Sequence, residues 1–195
     1  MGAVAEMLLA DPAAPLTIAR AAEAVGAAPM SLYRHFADRD DLVAAVARHV
    51  FADTRPRVSA GTPWQDEVRA WMTAVYRTAS RVPQLVRLMA TGESTEWLAD
   101  SSYLAAALER SGVHDDRMLA EGVFWVATTT MGHAMIRAAG TSDEADERRR
   151  AGVERLSPAD AARVARLVPH FDDMRDDGFD RVVTWTVAGL EKMLG

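Results

Sequence analysis

The sequence predicts an all-α protein, a short N-terminal helical unit followed by a larger helical bundle. Three observations carry this reading. Apolar residues recur at three- and four-residue spacing between Pro and Gly breaks, no segment alternates polar and apolar as a strand does, and there is no internal repeat. Arg55-Pro56 and Gly61-Thr62-Pro63 punctuate a loop that divides the chain into residues 1–54 and 55–195. At 195 residues and 49% hydrophobic composition, the chain has enough apolar mass for one good core or for a small and a larger one.

Residues 3–10 form an apolar helical stub ended by Asp11-Pro12. Thr17 is placed to cap the next helix, its hydroxyl accepting from a free first-turn amide. Ile18, Ala21, Ala22 and Val25 make one apolar stripe, and Gly26 closes the helix as a residue that enters positive φ without a Cβ penalty. Pro29 suits the first turn of a following helix, whose Leu32 and Phe36 face its predecessor. Pro29, Met30, Ser31, Tyr33, Arg34 and His35 are left mostly outside. A short helix, a glycine turn and a second helix with an exposed polar face is the helix-turn-helix layout, in which the second helix enters the major groove of DNA.

Gly26 through Phe36, followed by Ala37-Asp38-Arg39-Asp40-Asp41-Leu42-Val43, resembles the DNA-binding signature of the TetR family of bacterial repressors. In that pattern a glycine turn leads into a helix ending Leu-Tyr-(Arg/Tyr)-His-Phe, then a small residue, a basic residue, an acidic pair and an aliphatic pair. The resemblance is specific over residues 16–46; beyond them it extends only to length and helical character. It implies that Tyr33, His35 and Arg39 contact phosphates, that Thr17 and Arg20 lie near the DNA backbone, and that Pro29, Met30, Ser31 and Arg34 approach bases. Ala28 stands where the family has a Ser or Thr cap, Pro29-Met30 replace a Lys-Gly type of pair, and the first helix reads as a shortened form of a longer, basic one.

Asp38 is expected to cap a helix that Leu42, Val43, Val46, Val50 and Phe51 continue to about residue 54. Past the loop, residues 64–81 show Val68, Trp71, Met72, Val75 and Tyr76 on one face. Further helices are predicted over residues 83–89, 95–111 and 115–139; the last is apolar nearly all round and so is covered on more than one side. Residues 140–152 read as a charged, mobile segment, Ser157-Pro158 begins a short helix to about residue 168, and a final helix covers 179–194.

The formal net charge of −6 opposes nucleic-acid binding at first sight, and residues 1–55 hold five arginines against seven acids. Between Arg20 and Arg39, however, three arginines face Glu23 and Asp38 alone. Local potential is set within about 8–10 Å, so a groove-facing patch can be positive on an acidic protein, with few phosphate contacts and a shallow salt dependence. The absence of cysteine excludes disulfides and thiol chemistry. With no apolar run near ~20 residues and no basic start to Met1-Gly-Ala-Val-Ala-Glu, a cytoplasmic location is expected.

Trp71, Tyr76, Met89, Trp97, Tyr103, Trp125, Thr129 and His133 are candidate lining for a small-molecule effector site among the central helices. Against plain core packing, the hydroxyls of Thr128-Thr129-Thr130 and the His133 imidazole count in favour, since buried polar groups need partners. The helices at 115–139 and 179–194 carry spare apolar surface suited to a two-fold homodimer, which the family resemblance also implies. His114-Asp115-Asp116 and His170-Phe171-Asp172-Asp173 lack metal-ligand spacing and read as polar helix edges, so no enzyme, metal or cofactor is expected. The function this implies is a transcriptional regulator, a repressor released from operator DNA by an effector that tilts the helix at 38–54. The alternative is a ligand-binding or protein-interaction module of the same fold with weak or lost DNA binding.

Overall fold

The computed structural model describes the chain apart from residues 13, 53, 91–96 and 141–142, and apart from the side chains of 87–90, 143 and 176. Its helices run in chain order: α1 (Gly2–Ala10), α2 (Ile18–Ala24), α3 (Pro29–Leu32), α4 (Arg39–Phe51), α5 (Trp64–Ala79), α6 (Pro83–Ala90), α7 (Trp97–Glu109), α8 (Asp116–Ala139), α9 (Asp143–Glu154), α10 (Pro158–Asp177) and α11 (Phe179–Leu194). No strand occurs among the described residues.

The helix starts follow from side-chain caps. Thr17 Oγ1 accepts from the Arg20 amide at 3.2 Å, Asp38 from Asp41 at 2.9 Å, Asp115 from Met118 at 2.8 Å and Ser157 from Asp160 at 3.2 Å. At α4 the Asp41 Oδ2 in turn accepts from the amide of Ala37, the residue before the cap, at 3.1 Å. A continuous core runs from Val4 and Leu8 on α1, through Leu42 and Val46 on α4 and Met72 on α5, to Val126 on α8 and Leu190 on α11. Within it α8 packs on α5, α6, α7 and α11, while α6 lies against both α4 and α8. Gly122 lets α8 approach its neighbours closely: a Cβ there would come within 2.9 Å of Leu108 and 3.3 Å of Met193.

Three expectations are corrected. The charged segment at 140–152 is largely helical, as α9, because its charges are spaced to pair along one turn: Arg148 with Glu144 at 2.7 Å, Arg150 with Glu147 at 3.1 Å. Arg149 also reaches Asp172 on α10 at 3.3 Å, which fixes α9 on its neighbour. The helix expected to stop near residue 168 continues through Pro169 to Asp177. Proline removes one helical hydrogen bond there, but Met174 beyond it packs on the core and holds the last turns in place. Gly178 then joins α10 to α11, and any side chain on it would collide with the Met174 backbone. Val25, expected on the apolar stripe of α2, is instead 46% exposed at its C-terminal end. No helix among the described residues is long and apolar enough to cross a membrane.

One charged pair is set into this core. Glu67 on α5 is buried, and Arg110, just past the end of α7, pairs with it while keeping half of its own side chain in solvent. Removing the cation strands a buried carboxylate. Arg110→Ala is therefore expected to lower unfolding free energy by about 2 kcal/mol, and Glu67→Gln by less. Urea denaturation of the two variants checks the order.

Candidate nucleic-acid interface and bundle interior

The candidate reader is built from α2, a glycine turn and a helix of a single turn. At the end of α2 the Gly26 amide donates to Glu23 O at 3.1 Å and the Ala27 amide to Ala22 O at 2.9 Å, with Gly26 at φ 65°. α3 begins at Pro29 without a side-chain cap, since Ala28 has none to offer. It is shorter than expected, ending at Leu32; the chain continues in turns in which the His35 and Phe36 amides donate to Leu32 O at 2.8 and 2.9 Å. Leu32 is buried and Phe36 packs on the core, so the opposite face is turned outward. Met30 is 75% exposed and Tyr33 53%, with Pro29, Arg34 and His35 also exposed and Ser31 half-buried.

The cations of this unit are largely engaged within the chain. Arg20 donates to Pro15 O at 3.1 Å and pairs with Asp11 at 3.3 Å, so its guanidinium folds back beneath α2. Arg39 donates through Nε to Leu16 O at 2.8 Å and through a terminal nitrogen to Asp40 at 3.3 Å. Arg34 donates to Ser31 Oγ at 3.3 Å, linking two outward-facing side chains. Thr17, half-buried, spends its hydroxyl as the acceptor of the α2 cap.

The candidate effector residues do not converge on one place. Trp71 is buried and its Nε1 donates to Asp100 Oδ1 at 3.4 Å, where Arg55 Nε also donates at 2.8 Å. Tyr103 donates its hydroxyl to Pro56 O at 3.2 Å, and burial pushes its pKa up. Together these four side chains tie the loop after α4 to α5 and α7. Tyr76 and His133 meet instead at Phe179, the first residue of α11. The Tyr76 and Phe179 rings stack at 3.7 Å and 7°, and His133 is tilted against Phe179 at 6.0 Å. Trp125 lies on the outer side of α8 over Gly189 of α11, with the neighbouring Phe124 70% exposed. Thr129 is half-buried, Trp97 is 48% exposed, and the Met89 side chain lies outside the described residues.

The threonine reasoning is corrected as well. Thr130 donates to Val126 O and Thr128 to Phe124 O, each at 2.7 Å. The helix's own carbonyls satisfy these hydroxyls, so they require no ligand. Arg55, Asp100 and Phe179 were not singled out by sequence reasoning. Asp100, a lone acid in the apolar stretch after Trp97, was the one with a readable signal.

No family model matches the chain. A helix-turn-helix-type transcriptional regulator of Saccharopolyspora erythraea is 27% identical over 199 residues, covering 100% of this chain and 84% of the relative. Among solved structures, the Streptomyces coelicolor TetR family protein ActR in complex with (S)-DNPA aligns with a TM-score of 0.76 at 20% identity, over 100% of this chain and 96% of that one. BioQ with its natural double-stranded DNA operator aligns at 0.64 and 19% identity, over 97% and 93%. The chain has the fold of TetR-family proteins. That fold is the one expected from the resemblance at Gly26 to Val43.

His133 yields a pH test. Burial lowers its pKa below the usual imidazole value, so the unfolded chain binds the proton more readily. Stability from this group is full above the unfolded pKa of about 6.5 and is lost as pH falls below it. His133→Gln is expected to show a shallower fall in stability between pH 7.5 and 5.5 than the parent protein, as read by urea denaturation at each pH.

Proposed function

We propose that the chain represses transcription by binding operator DNA as a homodimer, and that a small molecule bound among α5–α8 releases it. Residues 1–54 act as the DNA-binding domain, and residues 55–195 as the ligand-binding and dimerisation domain, in the cytoplasm. The observation that carries the reading is the face of α3: Leu32 is locked inward while Met30, Tyr33 and Arg34 stand exposed on the reverse side. The complexes of its structural relatives, ActR with (S)-DNPA and BioQ with operator DNA, support both halves of this function.

Dimerisation is supported by what α8 and α11 leave uncovered. Phe124 is 70% exposed, Trp125 38%, Met135 40% and Ile136 54% on α8, and Trp185 on α11 is 59% exposed. Exposed apolar surface of this extent on two adjacent helices suits a four-helix bundle with a second copy. The two readers then sit ~34–36 Å apart, as successive major grooves require. Trp185→Glu and Phe124→Glu are expected to shift the protein to monomer in sedimentation velocity and to abolish operator binding.

The engagement of Arg20 and Arg39 by Asp11, Asp40 and backbone carbonyls favours a second reading, an interaction module of the same fold with weak DNA binding. Gel shifts against DNA upstream of the chain's own gene, at low and physiological salt, separate the two. If repression is correct, Tyr33→Ala weakens binding on every sequence, whereas Arg34→Ala changes which sequence is chosen, by about 1–3 kcal/mol at one position. A protein that shifts no fragment at either salt refutes the operator reading. Full switching requires the effector to prefer the released form by roughly 5.5 kcal/mol.

A further inference from the structure

Gln84, the second residue of α6, is committed to the loop that precedes α2. Its Oε1 accepts from the Leu16 amide at 2.9 Å. Its Nε2 donates to Pro12 O at 3.2 Å and to Ala14 O at 3.1 Å. These contacts join residues 68 to 72 positions apart in the chain. The carbonyl of the same Leu16 accepts from Arg39 Nε at 2.8 Å, and the Leu16 side chain is wholly buried. The peptide groups on either side of Leu16 are thus held by α6 and by the first residue of α4. The next residue, Thr17, is the cap of α2.

We propose that Gln84 is the positioning residue that sets the register of the DNA reader on the bundle, passing displacement of α6 to α2 and α3 through the Leu16 backbone. α6 lies between α8 and α4, so any movement among the central helices that shifts α6 acts on the reader twice. One route runs along α4, and the other through the Gln84 amide. The amide is required because one group must accept from an N–H while the other donates to two carbonyls. A carboxylate of the same shape retains the acceptor but turns an oxygen toward the carbonyls of Pro12 and Ala14. Arg39, which the family pattern assigns to phosphate, here has a second role as the opposite jaw on Leu16. The proposal rests on the operator-binding reading above.

The test uses the full-length protein and the operator fragment found by gel shift, with Gln84→Glu and Gln84→Met as variants. Both are expected to remain dimeric and to lose about tenfold or more in operator affinity, within the usual span of site-to-site coupling, and Gln84→Met, which removes the acceptor, is expected to exchange the Leu16 amide faster. A purely structural latch would lower the thermal midpoint and leave the affinity of the folded dimer unchanged. Variants that bind at parental affinity while the Leu16 amide exchanges faster overturn the proposal. Should neither variant fold, the parent protein decides it: by reciprocity, bound operator slows exchange at Leu16, and unchanged exchange overturns the role of Gln84. Parent protein that binds no fragment overturns the operator reading instead, which keeps the two failures apart.

Discussion

A helix of one turn has no stability of its own. Nucleation fixes several residues in exchange for a single hydrogen bond, so α3 exists only because its surroundings impose it. Leu32, buried on one side of the turn, is the point where they do so. Gly26 reverses the chain at a positive φ, Pro29 presets the first turn, and the Leu32 carbonyl then receives the amides of both His35 and Phe36. The exposure of Met30, Tyr33 and Arg34 is the geometric complement of that one buried leucine. Every functional statement about the reader inherits this constraint.

The electrostatics of the unit follow from the same economy. The protein is acidic, with a net charge of −6, and its reader does not compensate by massing cations on its surface. Arg20 and Arg39 serve instead as internal clamps on the loop at Pro15 and Leu16. Their positions hold α2 and the start of α4 in fixed relation, and each retains an ion pair with a neighbouring aspartate. For the proposed operator binding, this arrangement trades long-range attraction for rigidity, so the binding free energy would come mainly from shape and base-edge contact rather than counterion release.

How far the sequence disclosed this depends on the range of the interactions involved. Local signals were legible: the caps at Thr17 and Asp38 are where hydroxyl and carboxylate positions predict them, the helices expected from Asp115 and Ser157 start there, and Gly26 has the positive φ its place requires. The reader's exposed face was legible because it depends only on which of a few adjacent residues is apolar. The errors arose where distant partners decide. The charge run before Gly152 became α9 through pairing within itself and with Asp172, and α10 passed Pro169 because Met174 had a core to reach. Among the effector candidates, Trp125 was indistinguishable from a core tryptophan until α11 supplied Gly189 beneath it. No pattern in the chain could announce that Gln84 grips residues nearly seventy positions away.

The chain's lack of cysteine makes the decisive measurement clean. A single Met30→Cys substitution, spin-labelled on the outward face of α3, places one probe on each reader. Pulsed dipolar spectroscopy then reads the distance between them. A dimer gripping successive major grooves should give one narrow population on operator DNA, within the label's reach of ~35 Å. Absence of a dipolar signal at concentrations that saturate the operator, or a broad distribution that DNA leaves unchanged, would contradict a rigid outward reader carried on a symmetric pair.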